Sequence, residues 1–189
     1  QQIGMTLEEI VHGVHNPDPH IRLIATQNAR KMLSREKNPL IDSMISTGVI
    51  PCLSFLEDHN NVPLQFEACW ALTNIASGNS SQTQTVVNAG AIPLFINLLS
   101  SPHANVAEQA VWAIGNIAGD GPELRDLVLK YNVVPALKKL LTTEITTQFR
   151  RNIAWTMSNL CRNKNPPPPF EIVRELLPTF AEMIVHPGN

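Results

Sequence analysis

The sequence lacks the features that mark several specialised classes of protein. Only 16% of its 189 residues are charged and the formal net charge is −2, so there is no basic field of the kind that nucleic-acid-binding proteins carry. The three cysteines are far apart, with no CxxC pair and no Cys/His cluster, which argues against a zinc site or a disulfide framework and favours reduced thiols inside the cell. No apolar run approaches the ~20 residues of a membrane span, and no signal peptide is recognisable.

Catalytic and metal-binding patterns are also missing. The sequence offers no Ser/His/Asp or Cys/His set, no phosphate-binding loop and no pair of catalytic carboxylates. His12 and His15 share a helix face but have no third ligand, so no metal is predicted. We therefore expect neither an enzyme nor a cofactor. The chain opens without an initiator Met and stops at Asn189 just after an apolar run, which is typical of a piece of a longer protein.

What the sequence does contain is a repeat that begins with tryptophan. The block Trp70–Gly78 recurs in altered form as Trp112–Asp120 and as Trp155–Arg162. The Trp-to-Trp spacings of 42 and 43 residues are typical of stacked helical repeats. In each copy an Asn follows the Trp after four residues, so the two side chains share one face of a helix. The pairs are Trp70 with Asn74, Trp112 with Asn116, and Trp155 with Asn159.

A single Trp in a helical repeat is more typical of a core than of a binding site. Three of them, each with the same Asn one turn later, favour a binding site, because a core does not tolerate a buried Asn without partners. Cys69, beside the first Trp, is expected to be a small core residue.

Glycine, asparagine and proline divide each repeat into three helices. A short helix is predicted to end at a residue that tolerates the left-handed conformation, and a Pro three residues later suits the first turn of the next helix. These positions are Gly48 with Pro51, Gly90 with Pro93, and Asn132 with Pro135.

The remaining boundaries are predicted from single signals. Thr6 with Glu9 forms a capping-box pattern, and Asn105 with Glu108 is predicted to cap the third helix of one repeat. Pro178 is predicted to mark the start of another unit. The four prolines at 166–169 predict a stiff connection between helices, with an SH3-type ligand as the alternative.

A three-helix unit of ~40–47 residues is characteristic of the armadillo and HEAT class. More specifically, Gln65–Gly78 resembles the second armadillo repeat of importin-α (karyopherin-α), Glu108–Gly121 the third, and Trp155–Pro166 the fourth. The first 44 residues resemble the family's first repeat. In this repeat Gln27, 43 residues before Trp70, occupies the sequence position of the Trp, and the Trp/Asn pair is absent. The resemblance implies an all-α, right-handed superhelical armadillo solenoid, with repeats at about 1–44, 45–86, 87–129 and 130–169 and the start of a fifth at 170–189.

The resemblance also implies a function. Importin-α is a nuclear import adaptor that binds Lys/Arg-rich nuclear localisation signals, in an extended conformation, along a concave groove lined by the third helices. In that family the peptide runs antiparallel to the repeats and its lysine stems pass between the indole faces of a Trp ladder. An indole face attracts a cation at ~0.5–2 kcal/mol and covers the apolar stem of Lys. An Asn side chain can both donate to and accept from a peptide backbone.

A lysine pocket and three further positions follow from the same resemblance. The pocket would consist of the Gly78 carbonyl, the Thr83 hydroxyl and the Asp120 carboxylate, which together suit the three donors of an ammonium group. The positions three residues before each Trp, all polar, are expected to face the groove as a solvated surface. They are Glu67, Gln109 and Asn152.

The implied partners are cargo proteins with basic signal peptides, and importin-β through an N-terminal segment that this sequence does not contain. Direct nucleic-acid or membrane partners are not expected, and the implied location is cytoplasm and nucleus, with shuttling between them. The rival binding function is an armadillo scaffold of the catenin type in adhesion or signalling. That class lacks the regular Trp/Asn array and uses a basic groove for acidic partners, whereas this chain has a net charge of −2 and the Asp120 pocket.

Overall fold

The computed structural model describes residues 4–34, 41–47, 52–162 and 165–185. Within these ranges every regular element is a helix. In chain order the helices are α1 (Leu7–Val14), α2 (Pro19–Leu33), α3 (Ile41–Thr47), α4 (Cys52–Phe55), α5 (Val62–Ala76), α6 (Ser80–Asn88), α7 (Ala91–Leu98), α8 (Ala104–Gly119), α9 (Pro122–Lys130), α10 (Val133–Leu141), α11 (Thr147–Leu160) and α12 (Phe170–Val185).

The long helices α2, α5, α8 and α11 stack side by side, each packed against the next. Shorter helices lie between them in the chain and complete each repeat. The long helices α5 and α8 carry many small residues, including the fully buried Ala68, Ala71, Ala110 and Ala113. Small side chains allow helix axes to approach closely, so the residues at equivalent positions of successive long helices come within reach of one another.

Local sequence explains most helix boundaries. The Thr6 side chain accepts from the backbone N–H of Glu9, as the capping pattern predicted. Gly90 and Asn132 have positive φ angles of 91° and 58°, which confirms the two predicted left-handed positions that the structure describes. Pro93 and Pro135 are each the third residue of the following helix, where their missing N–H is not needed. Gly48 and Pro51 lie outside the described residues.

Two predicted boundaries are wrong. The helix with the second Trp begins at Ala104, one residue before the predicted cap Asn105, and His103 occupies its N-cap without a side-chain bond. Pro178 does not open a helix but lies inside α12. The N–H that this proline lacks would bond the carbonyl of Arg174, one turn earlier, and that residue is exposed to solvent, where water can take over the bond.

The proposed division into repeats at 45, 87 and 130 falls within the short helices α3, α6 and α9. The predicted boundaries follow the residues expected to adopt the left-handed conformation, Gly48, Gly90 and Asn132. Each short helix begins earlier, at a less distinctive signal such as Asn79, which caps α6.

Candidate functional site

The three tryptophans lie on successive long helices, α5, α8 and α11, and form a row across the stack. Trp112 and Trp155 are 43% and 37% exposed, and Trp70 is partly buried. Two such large aromatic side chains at the surface are not core residues, and exposed aromatic residues in a row are available to a ligand.

The second and third tryptophans of the row, Trp112 and Trp155, leave no gap between their rings. The ring centroids of Trp112 and Trp155 are 5.2 Å apart with an interplanar angle of 31°, so the indoles contact each other. Trp155 lies over Gly115, where an added Cβ would stand 2.2 Å from the indole ring. No lysine stem fits between these two rings in this arrangement. A ligand cation would bind on their exposed sides or separate them.

The three asparagines have different surroundings. The amide of Asn159 donates to the Gly115 carbonyl at 2.9 Å, and that of Asn74 donates to the Ser34 hydroxyl at 2.8 Å and the Arg30 carbonyl at 3.3 Å. Both therefore join one long helix to the previous one, which gives the recurring Asn a structural role that its position in the sequence did not reveal. The amide nitrogen of Asn116, by contrast, is buried and has no partner. It is the amide nitrogen of the three that has no hydrogen-bond partner within the described part of the protein.

The predicted lysine pocket is partly assembled. The Asp120 carboxylate, at the end of α8, accepts a hydrogen bond of 3.0 Å from Ser80, which brings it beside the start of α6 and near Gly78. Gly78 and Asp120 are exposed. Thr83 is 2% exposed, and its hydroxyl lies 2.8 Å from the Ala76 carbonyl, to which it donates. The exposed carboxylate is thus available to a ligand ammonium, whereas the Thr83 hydroxyl is directed into the protein.

The positions three residues before each Trp do not form a solvated surface. Glu67 is buried and accepts two hydrogen bonds from Arg30, and Asn152 is buried and donates to Glu108 at 3.2 Å. Gln109 is partly buried. The expectation of a solvated face is wrong for Glu67 and Asn152, because each is buried and pairs with a residue of the preceding long helix.

Two arginines near this region were not predicted. Arg30 stacks on Trp70 with its guanidinium carbon 4.1 Å from the ring centroid. Arg125 is fully buried and donates to the carbonyls of Arg162 at 2.9 Å and Pro166 at 3.0 Å, which ties α9 to the segment after α11. The sequence does contain a signal for Arg30. A small residue follows each Trp after three residues, whereas an arginine follows Gln27, the residue aligned with Trp70, at the same distance.

Within the described residues no group of three or more His, Cys, Asp or Glu side chains could hold a metal ion. No described helix is both long and apolar enough to cross a membrane. A cavity of about 280 Å³ between the α7–α8 and α10–α11 loops is lined by none of the predicted site residues. Burial raises the pKa of the Cys52 thiol to about 12, and Cys69 is fully buried, as expected of a core residue.

Comparison with known proteins identifies the repeat. The family model described as "Armadillo/beta-catenin-like repeat" matches residues 37–77, 79–119 and 121–162. A designed armadillo repeat protein solved in complex with the peptide (KR)4 superposes with a TM-score of 0.83 at 26% identity, over 95% of this chain and 74% of that one. A second designed armadillo protein gives 0.80 at 25% identity, over 93% and 71%. The expected all-α armadillo solenoid is therefore confirmed.

The curated relatives are importin subunits. The chain is 50% identical to mouse importin subunit alpha-8 over all of this chain and 38% of that protein. It is 51% identical to importin subunit alpha-3 of Caenorhabditis elegans over 93% of this chain and 34% of that protein. The chain thus spans little more than a third of the length of these relatives. It belongs to the armadillo-repeat family, and its resemblance to importin-α is confirmed by an identity of about one half along its whole length.

Proposed function

We propose that this chain recognises Lys/Arg-rich nuclear localisation signals of cargo proteins and contributes this recognition to a nuclear import adaptor. The observation that carries the proposal is the surface formed by Trp112 and Trp155 beside the unpartnered amide of Asn116. Exposed indole faces attract cationic side chains. An unpaired buried amide gains a hydrogen bond when a peptide carbonyl reaches it.

Charge supports the same ligand. Asp120 places an exposed carboxylate one turn beyond Asn116, so a bound peptide meets a neutral donor for its backbone and an acidic acceptor for a lysine. Gly78, which is also exposed, would offer its backbone carbonyl to the same lysine. Thr83 contributes by holding the turn between α5 and α6, through its bond to the Ala76 carbonyl.

The comparisons support a role in nuclear import and a basic ligand. The curated relatives are named importin subunits alpha, and a solved neighbour with the same fold holds the peptide (KR)4. By the same likeness the protein would act as an adaptor without catalysis, would join importin-β through residues that this sequence does not contain, and would move between cytoplasm and nucleus. A catenin-type scaffold with an acidic partner is less favoured, because Asp120 would repel that partner.

A titration with a lysine-rich peptide tests the proposal. Wild-type protein should bind the peptide with an affinity that falls as salt is added. In Asp120→Lys the charge-assisted hydrogen bond is lost and a like charge replaces it, so the affinity should fall at least about tenfold. Glu57→Lys, at an exposed position in the α4–α5 loop, makes the same change of charge and should bind nearly as the wild type does.

Two outcomes would contradict the proposal. Equal losses in Asp120→Lys and Glu57→Lys would mean that overall charge, rather than a pocket, attracts the peptide. Tighter binding of an acidic peptide than of the lysine-rich one would favour the catenin-type function instead.

A further inference from the structure

The first tryptophan of the row already has a cation on its ring. The guanidinium carbon of Arg30 lies 4.1 Å from the ring centroid of Trp70. Its Nε and Nη2 donate to the two carboxylate oxygens of Glu67 at 2.8 and 3.1 Å. The side chains of Arg30 and Glu67 are only 17% and 9% exposed. An aromatic face with a carboxylate beside it is a complete site for a cationic side chain.

Arg30 is the exception among the residues at its repeat position. The residues three after Trp70, Trp112 and Trp155 are small, whereas three after Gln27 comes an arginine. They are Thr73, Gly115, Ser158 and Arg30. Trp155 shows why a small residue is usual, since it packs directly onto Gly115. Where α2 meets α5 the position instead supplies a long cation, and Trp70 packs on that cation.

Asn74, the asparagine predicted to hold a peptide backbone beside Trp70, already uses its amide nitrogen within the protein. The amide of Asn74 donates to the Ser34 hydroxyl and the Arg30 carbonyl, both in or next to α2. Further along the row, Trp112 is well exposed and the amide of Asn116 has no partner. The junction between α2 and α5 therefore has the parts of a ligand site, with all of them engaged by the chain itself.

We propose that Arg30 is a built-in cation that fills the first aromatic site of the row and so fixes where a bound basic peptide ends. This inference rests on the proposed function and adds a specificity-determining residue to it. A peptide cation at this junction would have to displace a guanidinium that is stacked and held by two hydrogen bonds, and would be repelled by its charge. Additional basic residues beyond this point should therefore add little affinity.

The cation site can be tested without any peptide. In Arg30→Ala, methylguanidinium should bind between Trp70 and Glu67 and shift the indole N–H resonance of Trp70, assigned with Trp70→Phe, in a saturable manner at millimolar concentration. Wild-type protein and the double variant Arg30→Ala/Glu67→Gln should show no saturable shift. If Arg30→Ala is unstable, methylguanidinium should raise its melting temperature and leave that of the double variant unchanged. Absence of both effects overturns the cation site.

The effect on peptide register is tested with peptides of equal length that carry three, four or five consecutive lysines, extended first at one end and then at the other. In wild-type protein, extension at the end that reaches the junction between α2 and α5 should give no gain in affinity. In Arg30→Ala the same extension should improve binding about tenfold, because a vacant aromatic and acidic site becomes available. Arg174→Ala removes the same charge at an exposed position on α12 and should not produce this gain.

The outcomes separate this inference from the proposed function. Equal gains at both ends in wild-type protein, or no gain in Arg30→Ala, overturn the role of Arg30 while peptide binding itself stands. If no protein binds any peptide, the proposed function and the register role both fall, and the methylguanidinium titration alone decides whether Trp70 and Glu67 form a cation site.

Discussion

Replacing Asn159 and Asn116 separately by alanine should produce opposite effects on stability and on binding. Asn159 is 3% exposed and its amide donates to the Gly115 carbonyl of the neighbouring long helix at 2.9 Å. Asn116 occupies the equivalent position one repeat earlier, but its amide nitrogen has no partner. The two substitutions remove the same atoms at corresponding helix positions, so their difference reports the hydrogen bond of Asn159 together with its deeper burial.

The expected sizes follow from three contributions. Losing the bond between helices in Asn159→Ala costs about 1 kcal/mol, and losing the packing of a buried side chain adds to this. Alanine regains roughly 0.6 kcal/mol of helix propensity in both variants, so that contribution cancels. Asn116→Ala also removes an unpaired buried amide, which makes it neutral or slightly stabilising. The free energies of unfolding should therefore differ by about 1–2 kcal/mol, with Asn159→Ala the less stable.

Urea unfolding followed by circular dichroism measures this difference, and titration with a lysine-rich peptide measures binding. Asn116→Ala should weaken the peptide about tenfold, because a buried donor to its backbone is lost. Asn159→Ala should bind the peptide as the wild type does at temperatures where it is folded. Equal destabilisation by the two substitutions would refute the distinction between them, as would a larger loss of affinity in Asn159→Ala.

Three further substitutions or conditions test other parts of the structure. Arg125→Met should lower the free energy of unfolding by about 3 kcal/mol, because a buried cation that holds two carbonyls is removed, and a loss below 1 kcal/mol by urea unfolding would contradict this. In Gly115→Ala the new Cβ would overlap the Trp155 ring, which must shift by about 1.2 Å to reach the 3.4 Å of ordinary contact with it. The near-ultraviolet circular dichroism should therefore change, and stability should not increase although alanine is the better helix former. Because the Cys52 pKa rises from 9.0 to about 12 on folding, the unfolded chain loses this proton first, and the free energy of unfolding should fall as the pH rises from 9 towards 12. The Cys52→Ala variant should show a smaller fall. Thiol reagents at pH 8 should label the partly exposed Cys161 well before the buried Cys52.

The parts of the fold that were predicted correctly depend on local backbone chemistry. Gly90 and Asn132 were identified because few residue types accept a positive φ, and Pro93 and Pro135 because few helix positions accept a missing N–H. Pro178 was misplaced by the same rule, since a proline is also tolerated inside a helix when the carbonyl that it leaves unbonded reaches water.

The site was less predictable, because its side chains find partners about 40 residues away. Nothing near Arg30 in sequence indicates that it pairs with Glu67, and nothing near Asn159 indicates the Gly115 carbonyl. The repeat period brings these residues together, but it does not indicate which of the three equivalent asparagines is left without a partner for its amide nitrogen. Only the packing of each pair of long helices determines that Asn116 keeps an unpaired amide.

The contact between Trp112 and Trp155 gives the protein an optical signal of its own. Two indoles with centroids 5.2 Å apart couple their electronic transitions, and this coupling depends steeply on their separation and relative orientation. A ligand that enters between the rings would abolish the coupled signal, whereas one that lies across their exposed sides would preserve it. Circular dichroism of the unlabelled protein can therefore distinguish the two ways in which a cationic side chain meets this pair.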